Sequence, residues 1–246
     1  MAYTYKPNER YALVGKTRSG KTTQSMVLAG TFAVALWQTD WEVWVLDTKG
    51  DPNDLIGWRK WGFRNVASDE DQRTSLLRNA LYFRIDSKDP QGRPISVVTQ
   101  CQAIITAAYN RGNVILVLDE YVSVVTSRQE PGKALKDAFQ RGGGRNVGVI
   151  GCTQEPVYVP RQLLSQATHI FLFTLTYDYD IQWAKKICRE YEPPSTRGDV
   201  HGFWYKWVDG PTNKWAYYSD QASWYESLKV ALPRPVDLSQ PALENF

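Results

Sequence analysis

The sequence predicts an α/β fold in which a mainly parallel central sheet is flanked by helices. Short continuous apolar runs, each ending at a polar or glycine-rich turn, recur along the chain, and helix-like stretches separate them. Continuous apolar runs are typical of strands that are buried on both faces. Strands that alternate with helices form a parallel sheet with right-handed crossovers. The sequence therefore favours a doubly wound sheet.

The predicted elements run from a first strand near residue 10 to a hairpin near the C-terminus. The apolar runs are YALVG, WEVWVLD, NVILVLDE, NVGVIGCTQ and THIFLFTLT, and the helix-like stretches cover 21–36, 69–82, 99–110, 132–141 and 161–167. GFWYKWVDGPTNKWAYYS alternates aromatic and polar residues around an Asp-Gly-Pro turn, which is typical of a β-hairpin. The proline-rich end, LPRPVDLSQPALENF, predicts an extended arm. We expect one domain over 1–246, with its core over about 10–176 and the hairpin and arm over about 177–246.

Composition excludes some classes of protein and leaves others open. The chain is 43% hydrophobic and 22% charged, with no apolar run long enough to span a bilayer, so we expect no membrane span. The N-terminal MAYTYKPNERY lacks the profile of a signal peptide, and we expect a protein that is not secreted. Three widely spaced cysteines without a C-x-x-C pair predict free, buried thiols. A net charge of +3 neither identifies nor excludes a nucleic-acid partner.

A glycine-rich basic turn lies between the first strand and the first helix. GKTRSGKT, residues 15–22, satisfies the P-loop pattern G-x-x-x-x-G-K-[ST] in the strand–turn–helix context that the pattern requires. Its glycines let successive N–H groups converge on phosphate oxygens at a helix N-terminus. Lys21 can then reach the β- and γ-phosphates, and the Thr22 hydroxyl can coordinate Mg²⁺. The predicted site for ATP and Mg²⁺ is formed by Gly15, Lys16, Thr17, Arg18, Ser19, Gly20, Lys21, Thr22 and Thr23.

Two acidic residues end the strand in NVILVLDEY. Asp119 leaves a buried strand, where it is placed to hold Mg²⁺ through water, and Glu120 follows it. The second carboxylate can polarise an attacking water, and water as the acceptor means hydrolysis. The alternative is that the two acids merely end a strand at the surface.

Polar residues also follow two other strands. VWVLDTKGD ends in Asp47, Lys49 and Asp51 around Gly50, and NVGVIGCTQEP ends in Gln154. Ligands bind at the carboxyl ends of strands in α/β sheets. Gln154 is placed to hydrogen-bond the γ-phosphate or the lytic water if its strand neighbours the P-loop strand. It could instead serve only as a turn residue before a proline.

With these motifs in this order, the sequence resembles the HerA/FtsK superfamily of P-loop translocases. That superfamily includes chromosome pumps, conjugative coupling proteins and the genome-packaging ATPases of membrane-containing icosahedral viruses. The resemblance covers about 10–176, through GKTRSGKT, VLDTKGD, LVLDEY, GRNVGVIGCTQEP and LLSQATHIFLF. It implies a P-loop NTPase with a RecA-like core that forms a homo-oligomeric ring, commonly a hexamer. Such rings hydrolyse ATP between subunits and drive double-stranded DNA through the pore.

The resemblance also implies roles for individual residues. By matching position, Lys21 and Thr22 take the nucleotide and metal, and Asp119 takes the metal. Glu120 takes the attacking water and Gln154 takes the sensor role. One further match implies a group that acts across the subunit boundary, namely Arg145, with Arg141 as the alternative.

The P-loop departs from the superfamily pattern at Arg18, where relatives usually have a third glycine. The loop must therefore accept a Cβ at this position, and it gains a positive charge near the phosphates. Arg18 either contacts the nucleotide or the adjacent subunit, or it faces solvent.

Size favours one branch of the superfamily. Only nine residues precede the first strand, and only a hairpin and an arm follow the core, so we expect a minimal motor. This resembles the viral packaging ATPases, which implies a place in the host cytoplasm or the virion, with a capsid vertex or internal-membrane proteins as partners. The alternatives are a cellular or plasmid DNA-mobilisation ATPase, and a protein that uses nucleotide only as an assembly switch.

The sequence gives its least specific evidence for the residues that would contact DNA. Candidates are Arg59 and Lys60 beside Trp58 and Trp61, and Arg128 with Lys133 and Lys136. Mobile cations on loops bind phosphates, but an ordinary solvated face explains each cluster equally well. His169 and His201 have no partners at metal-ligand spacing, and we assign them no role.

Overall fold

Nine strands form a single mixed sheet in the computed structural model, which describes residues 6–68, 77–125, 132–158, 164–210 and 212–227. The strands are β1 (Arg10–Val14), β2 (Glu42–Asp47), β3 (Arg64–Asn65), β4 (Ala80–Arg84), β5 (Val114–Leu118), β6 (Val147–Thr153), β7 (His169–Leu172), β8 (Phe203–Trp207) and β9 (Trp215–Tyr218). Their order across the sheet is β3-β4-β2-β5-β6-β1-β7-β8-β9. Strands β1 to β7 pair in parallel, and β8 and β9 are antiparallel.

Helices cover both faces of this sheet. They are α1 (Lys21–Ala35), α2 (Pro52–Lys60), α3 (Val97–Arg111), α4 (Lys133–Arg141), α5 (Asp178–Ile187) and α6 (Gln221–Ser227). Buried residues of α1, α2 and α6 share one apolar layer, and those of α3, α4 and α5 share the other. Side chains of β1 alternate between the layers, with Tyr11 and Leu13 on the α1 side and Ala12 and Val14 on the α3 side. The predicted α/β fold with a mainly parallel, helix-flanked sheet is confirmed.

Two helices begin where side chains cap their free N–H groups. The Asp51 carboxylate accepts the Asn53 N–H at 2.8 Å, and Pro52 occupies the first position of α2. The Ser96 hydroxyl accepts the Thr99 N–H at 3.1 Å at the start of α3. The bounds of α1, α3 and α4 differ from the predicted ones by no more than two residues.

The predicted helix over 69–82 is wrong at its C-terminal end. Residues 80–84 form β4, which pairs in parallel with β2 from Val43↔Ala80 onward, and 69–76 lie outside the described residues. Ala80 and Tyr82 are buried while Leu81 and Phe83 are half-buried, which is the two-residue period of a strand. Of the predicted helix over 161–167, residues 161–163 lie outside the described part, as does the predicted arm over 232–246. Helices α2, α5 and α6 and strand β3 were not predicted from the sequence.

The predicted C-terminal hairpin is confirmed, but it is part of the main sheet. Strand β8 pairs with β7, where His169 lies opposite Trp207, and β9 pairs with β8. The ring of Trp224 from α6 packs edge-on against Phe171 of β7 and Tyr205 of β8. Residues of the hairpin and of α6 therefore contribute to the apolar layer that covers α1.

Cys101, Cys152 and Cys188 are free and buried, as predicted. Within the described ranges, no helix has both the length and the apolar character needed to cross a bilayer.

A buried histidine joins β7 to β8 and to the residue before β1. His169 is fully buried, and its Nε2 lies 3.0 Å from the Glu9 carboxylate while its Nδ1 lies 2.8 Å from the Tyr205 hydroxyl. A carboxylate can only accept, so Nε2 carries the proton and Nδ1 accepts from Tyr205. Burial lowers the pKa of His169, against the opposing effects of Glu9 and Asp209. The histidine is therefore a structural group that the fold keeps neutral.

We expect this group to make stability depend on pH. The pKa of His169 is lower in the folded state than in the unfolded state, so the unfolded chain binds its proton first as the pH falls. The free energy of unfolding should then decrease as the pH is lowered from about 7.5 through about 6.5, the ordinary histidine value. In urea titrations across this range, His169→Gln should flatten the decrease, because glutamine can bond both partners without titrating. A slope in His169→Gln equal to that of the wild type would assign the pH dependence to other groups.

Candidate nucleotide-binding site

The carboxyl ends of three neighbouring strands form the predicted site. Strand β6 lies between β5 and β1 and is parallel to both. The P-loop follows β1, Asp119 and Glu120 follow β5, and Gln154 follows β6. The prediction that the strand of Gln154 neighbours the P-loop strand is confirmed. All three segments therefore meet at one edge of the sheet.

The P-loop backbone is fixed to the strand ends on both sides. The Gly15 N–H donates to the Thr153 carbonyl at 3.1 Å, and the Lys16 N–H donates to the Thr174 carbonyl at 2.8 Å. Gly20 then begins α1 with a φ of 101°, a left-handed conformation that strongly favours glycine. The first turn of α1 has no acidic residue, so its N–H groups and the helix dipole favour an anion.

Arg18 adopts the conformation that glycine would otherwise provide. Its φ is 60°, which is left-handed and costs a residue with a Cβ about 1 kcal/mol. Its side chain is exposed in the single chain. Contact with a nucleotide or an adjacent subunit stays a prediction.

The Lys21 ammonium lies inside the loop. Its Nζ donates to the carbonyls of Gly15 at 2.5 Å and Lys16 at 2.7 Å, and the residue is almost fully buried. Burial lowers the pKa of Lys21 to about 8, and the charge of Lys49 adds to this while Glu120 and Asp119 oppose it. A group with this pKa is mostly charged at neutral pH and is placed to bind phosphate oxygens.

Thr22 and Asp119 offer a pair of oxygens to a metal ion. The Thr22 hydroxyl lies 3.3 Å from Asp119 Oδ1, and Asp119 is buried. Mg²⁺ prefers hard oxygen ligands at about 2.0–2.1 Å in octahedral geometry and usually keeps several waters. A hydroxyl and a carboxylate this close fit adjacent positions around such an ion, directly or through water. The donor set therefore fits Mg²⁺.

The Gln154 amide connects the P-loop with Glu120. Its Nε2 donates to Glu120 Oε2 at 2.8 Å, and its Oε1 accepts from the Thr17 hydroxyl. Both polar ends of the amide therefore bond site residues, and the side chain does more than end a turn. Burial raises the pKa of Glu120, against the opposing effects of Lys49, Lys21 and the bond from Gln154.

The structure does not bring Arg145 or Arg141 to this site within one chain. Both precede β6, whereas Gln154 follows it, and a strand of seven residues spans about 23 Å. The Arg145 guanidinium lies over the Tyr109 ring at 5.5 Å from its centre, and Arg141 is 3.9 Å from Asp137. Action of either arginine across a subunit boundary stays a prediction.

The candidate DNA contacts are spread over the surface. Trp58 and Trp61 are buried in the layer that covers α1, so their rings belong to the core. Lys60 at the end of α2 is exposed, as are Lys133 and Lys136 on α4. Arg128 lies outside the described residues.

Two residues at the site had no assigned role. A Cβ built on Gly20 would lie 3.4 Å from Nδ1 of His201, so this exposed imidazole borders the P-loop. Lys49 forms an ion pair with Asp119, with 2.8 Å between Nζ and Oδ2. No local pattern could have predicted either contact, because the partners come from distant parts of the chain. For Lys49, the sequence feature that could have indicated a place at the site was a basic residue just after the end of a strand.

Comparison with known proteins shows that this chain is similar in fold to solved structures of other proteins. No protein-family model and no curated protein matches the sequence. The genome packaging NTPase B204 from Sulfolobus turreted icosahedral virus 2, in complex with ATP-gammaS, is 16% identical, with a TM-score of 0.58 over 88% of this chain and 99% of that chain. EssC (ATPases 2 and 3) from Geobacillus thermodenitrificans is 15% identical, with a TM-score of 0.54 over 92% of this chain and 43% of that chain. The chain therefore has the fold of P-loop NTPases, as predicted, and resembles these two proteins in that fold.

We expect nucleotide affinity to fall at alkaline pH because of Lys21. With a pKa of about 8 in the free protein, the ammonium loses most of its protons by pH 9. If only the charged form binds phosphates well, the affinity for ATP should fall about tenfold between pH 7 and pH 9. Isothermal titration calorimetry at several pH values measures this change.

The matched variant is Lys21→Arg, whose guanidinium stays charged over this range. It should bind ATP more weakly than the wild type but with little change between pH 7 and pH 9. An equal pH dependence in both proteins would assign the titration to another group.

Proposed function

We propose that this chain is an ATP-hydrolysing motor that translocates double-stranded DNA and packages a viral genome into a preformed capsid. The bonds of the Gln154 amide to Thr17 and Glu120 carry the proposal. They support it because a carboxylate and an amide that are bonded to each other beside the P-loop suit hydrolysis better than nucleotide binding alone.

Each residue of the site has a specific role in the proposed reaction. Lys21 and the P-loop N–H groups bind the phosphates, while Thr22 and Asp119 hold Mg²⁺. When bound, Mg²⁺ neutralises charge that develops on the phosphate oxygens. Glu120 orients and deprotonates the attacking water, and its raised pKa makes it a better proton acceptor. Gln154 holds Glu120 in place and senses the terminal phosphate.

The packaging role is supported by the extent of the fold similarity. The alignment includes 99% of B204, a genome packaging NTPase. By analogy, the chain is one P-loop ATPase domain that assembles into a homo-oligomeric ring, a hexamer by preference. The ring would act in the host cytoplasm or the virion, against a capsid vertex or internal-membrane proteins.

Stimulation of ATP hydrolysis by DNA tests this function. Wild-type protein should release phosphate faster with double-stranded DNA than without it, to the same extent on two unrelated duplexes, because phosphate contacts carry no base information. The stimulation should weaken steeply with salt. Hydrolysis that DNA does not change would favour the assembly switch, and a strong preference for one duplex would contradict the motor.

The control for hydrolysis is a pair of matched variants. Glu120→Gln can still accept the bond from Gln154, so it should bind ATP normally and lose at least about a hundredfold in turnover. Glu155→Gln, at an exposed neighbouring carboxylate, should keep wild-type turnover. Near wild-type phosphate release by Glu120→Gln would remove Glu120 from the mechanism.

Subunit mixing tests Arg145. Arg145→Ala should bind ATP almost normally and lose most hydrolysis, since an arginine supplied in trans contributes on the order of 10³-fold or more. Mixed with inactive Glu120→Gln, it should recover activity, because a mixed ring can place an intact Arg145 against an intact Glu120. Absence of recovery in rings shown by native mass spectrometry to have exchanged subunits would contradict action in trans. The same mixing with Arg141→Ala tests the alternative.

A further inference from the structure

Lys49 occupies the carboxylate that the proposed metal ion would need. Its Nζ lies 2.8 Å from Asp119 Oδ2 and 3.4 Å from the Asp119 carbonyl. The other carboxylate oxygen, Oδ1, faces the Thr22 hydroxyl. One oxygen of this buried carboxylate thus forms an ion pair with a cation from the turn after β2, and the other accepts the hydrogen bond of a hydroxyl.

Hydrogen bonds to a buried carboxylate hold the turn that carries Lys49. The buried Asp47 carboxylate accepts the N–H of Lys49 at 2.9 Å and of Gly50 at 3.0 Å, and the Tyr82 hydroxyl donates to it. Gly50 has a φ of 65°, which lets the chain turn into α2. The backbone of Lys49 is therefore held at the end of β2, which pairs with β5, and the side-chain Nζ reaches Asp119.

Charge explains why a lysine is held there. Burial raises the pKa of Asp54, on α2, to about 6, and the charges of Asp119, Asp51 and Asp47 add to this rise while Lys49 opposes it. Burial lowers the pKa of Lys49, but the charge and hydrogen bond of Asp119 outweigh burial, so the pKa is raised overall. The ammonium is thus the local counter-charge of an acidic cluster.

A divalent cation would compete with this ammonium. Mg²⁺ held by Thr22 and Asp119 would lie next to the Lys49 charge and repel it. The metal must therefore either break the Lys49–Asp119 ion pair or bind in spite of the repulsion from the Lys49 charge.

We propose that the Lys49 ammonium neutralises Asp119 until Mg²⁺ and nucleotide bind, and that the metal displaces it. Lys49 then sets how much Mg²⁺ the site requires, and it is a positioning residue rather than a catalytic one. The inference rests on the proposed function, because it takes Asp119 as a metal ligand.

The Mg²⁺ dependence of nucleotide binding tests the inference. Metal-free protein is titrated with MgCl₂ in the presence of a fluorescent ADP analogue, and affinity for the analogue is measured in EDTA as well. Lys49→Gln removes the competing charge, so the half-saturating Mg²⁺ concentration should fall about five- to tenfold. Affinity in EDTA should stay within about twofold of wild type.

Further variants keep the test valid if Lys49→Gln does not fold. Lys49→Arg keeps the charge and can bind a carboxylate with two bonds, so its Mg²⁺ requirement should equal or exceed that of the wild type. Lys185→Gln, at an exposed lysine of α5, is the matched control and should leave the requirement unchanged. Mn²⁺ binding followed by electron paramagnetic resonance gives the same comparison without nucleotide fluorescence.

The outcomes separate this inference from the proposed function. An unchanged Mg²⁺ requirement in Lys49→Gln, or a lowered one in Lys49→Arg, would overturn the inference. Affinity for the analogue that falls equally with and without Mg²⁺ would also overturn it, because Lys49 would then contact phosphate. Wild-type protein that binds no nucleotide at any Mg²⁺ concentration would instead refute the nucleotide site itself.

Discussion

The parallel pairing of β6 with β1 on one side and β5 on the other is the constraint on which the site depends. The register pairs Val14 with Thr153 and Leu118 with Gly151, so the three strands end within two residues of one another. Each functional segment follows one of these ends directly. A shift of one residue in either pairing would move the side chains of a strand to the opposite face and separate the segments. The apolar layers on both faces hold this register, because they bury alternate side chains of the same strands.

Buried charge is the second condition of the site. Lys21 and Asp119 are almost inaccessible to solvent, yet each has polar partners: two carbonyls for Lys21, and Lys49 with Thr22 for Asp119. A buried charge is costly unless it is paired and hydrogen-bonded, and these partners supply that compensation. The residues are therefore held close to the positions in which they would meet phosphate and metal, so little reorganisation is needed on binding.

Local patterns in the sequence predicted those parts of the structure that depend on neighbouring residues. The P-loop, the apolar strands β1, β2, β5, β6 and β7, and the acidic strand end can each be recognised within a few residues of sequence. Strand β4 was mistaken for helix because no glycine or proline separates ALYFR from the helix-like residues before it, and its parallel pairing with β2 decides its conformation. The Lys49–Asp119 ion pair and the position of His201 beside Gly20 are tertiary contacts that no spacing reveals. Association of the hairpin with β7 is another such contact.

The position of Arg145 follows from chain direction alone. Lys21, Asp119 and Gln154 follow strands that run in parallel, so they share the carboxyl edge of the sheet, while Arg145 precedes β6 and lies at the opposite edge. With about 23 Å of strand between the edges, Arg145 cannot reach the P-loop of its own chain. A catalytic role for this arginine would require a neighbouring subunit to present its amino edge to the carboxyl edge of this one. In that arrangement a single chain would be enough to bind the nucleotide. Full turnover would require the boundary between two chains.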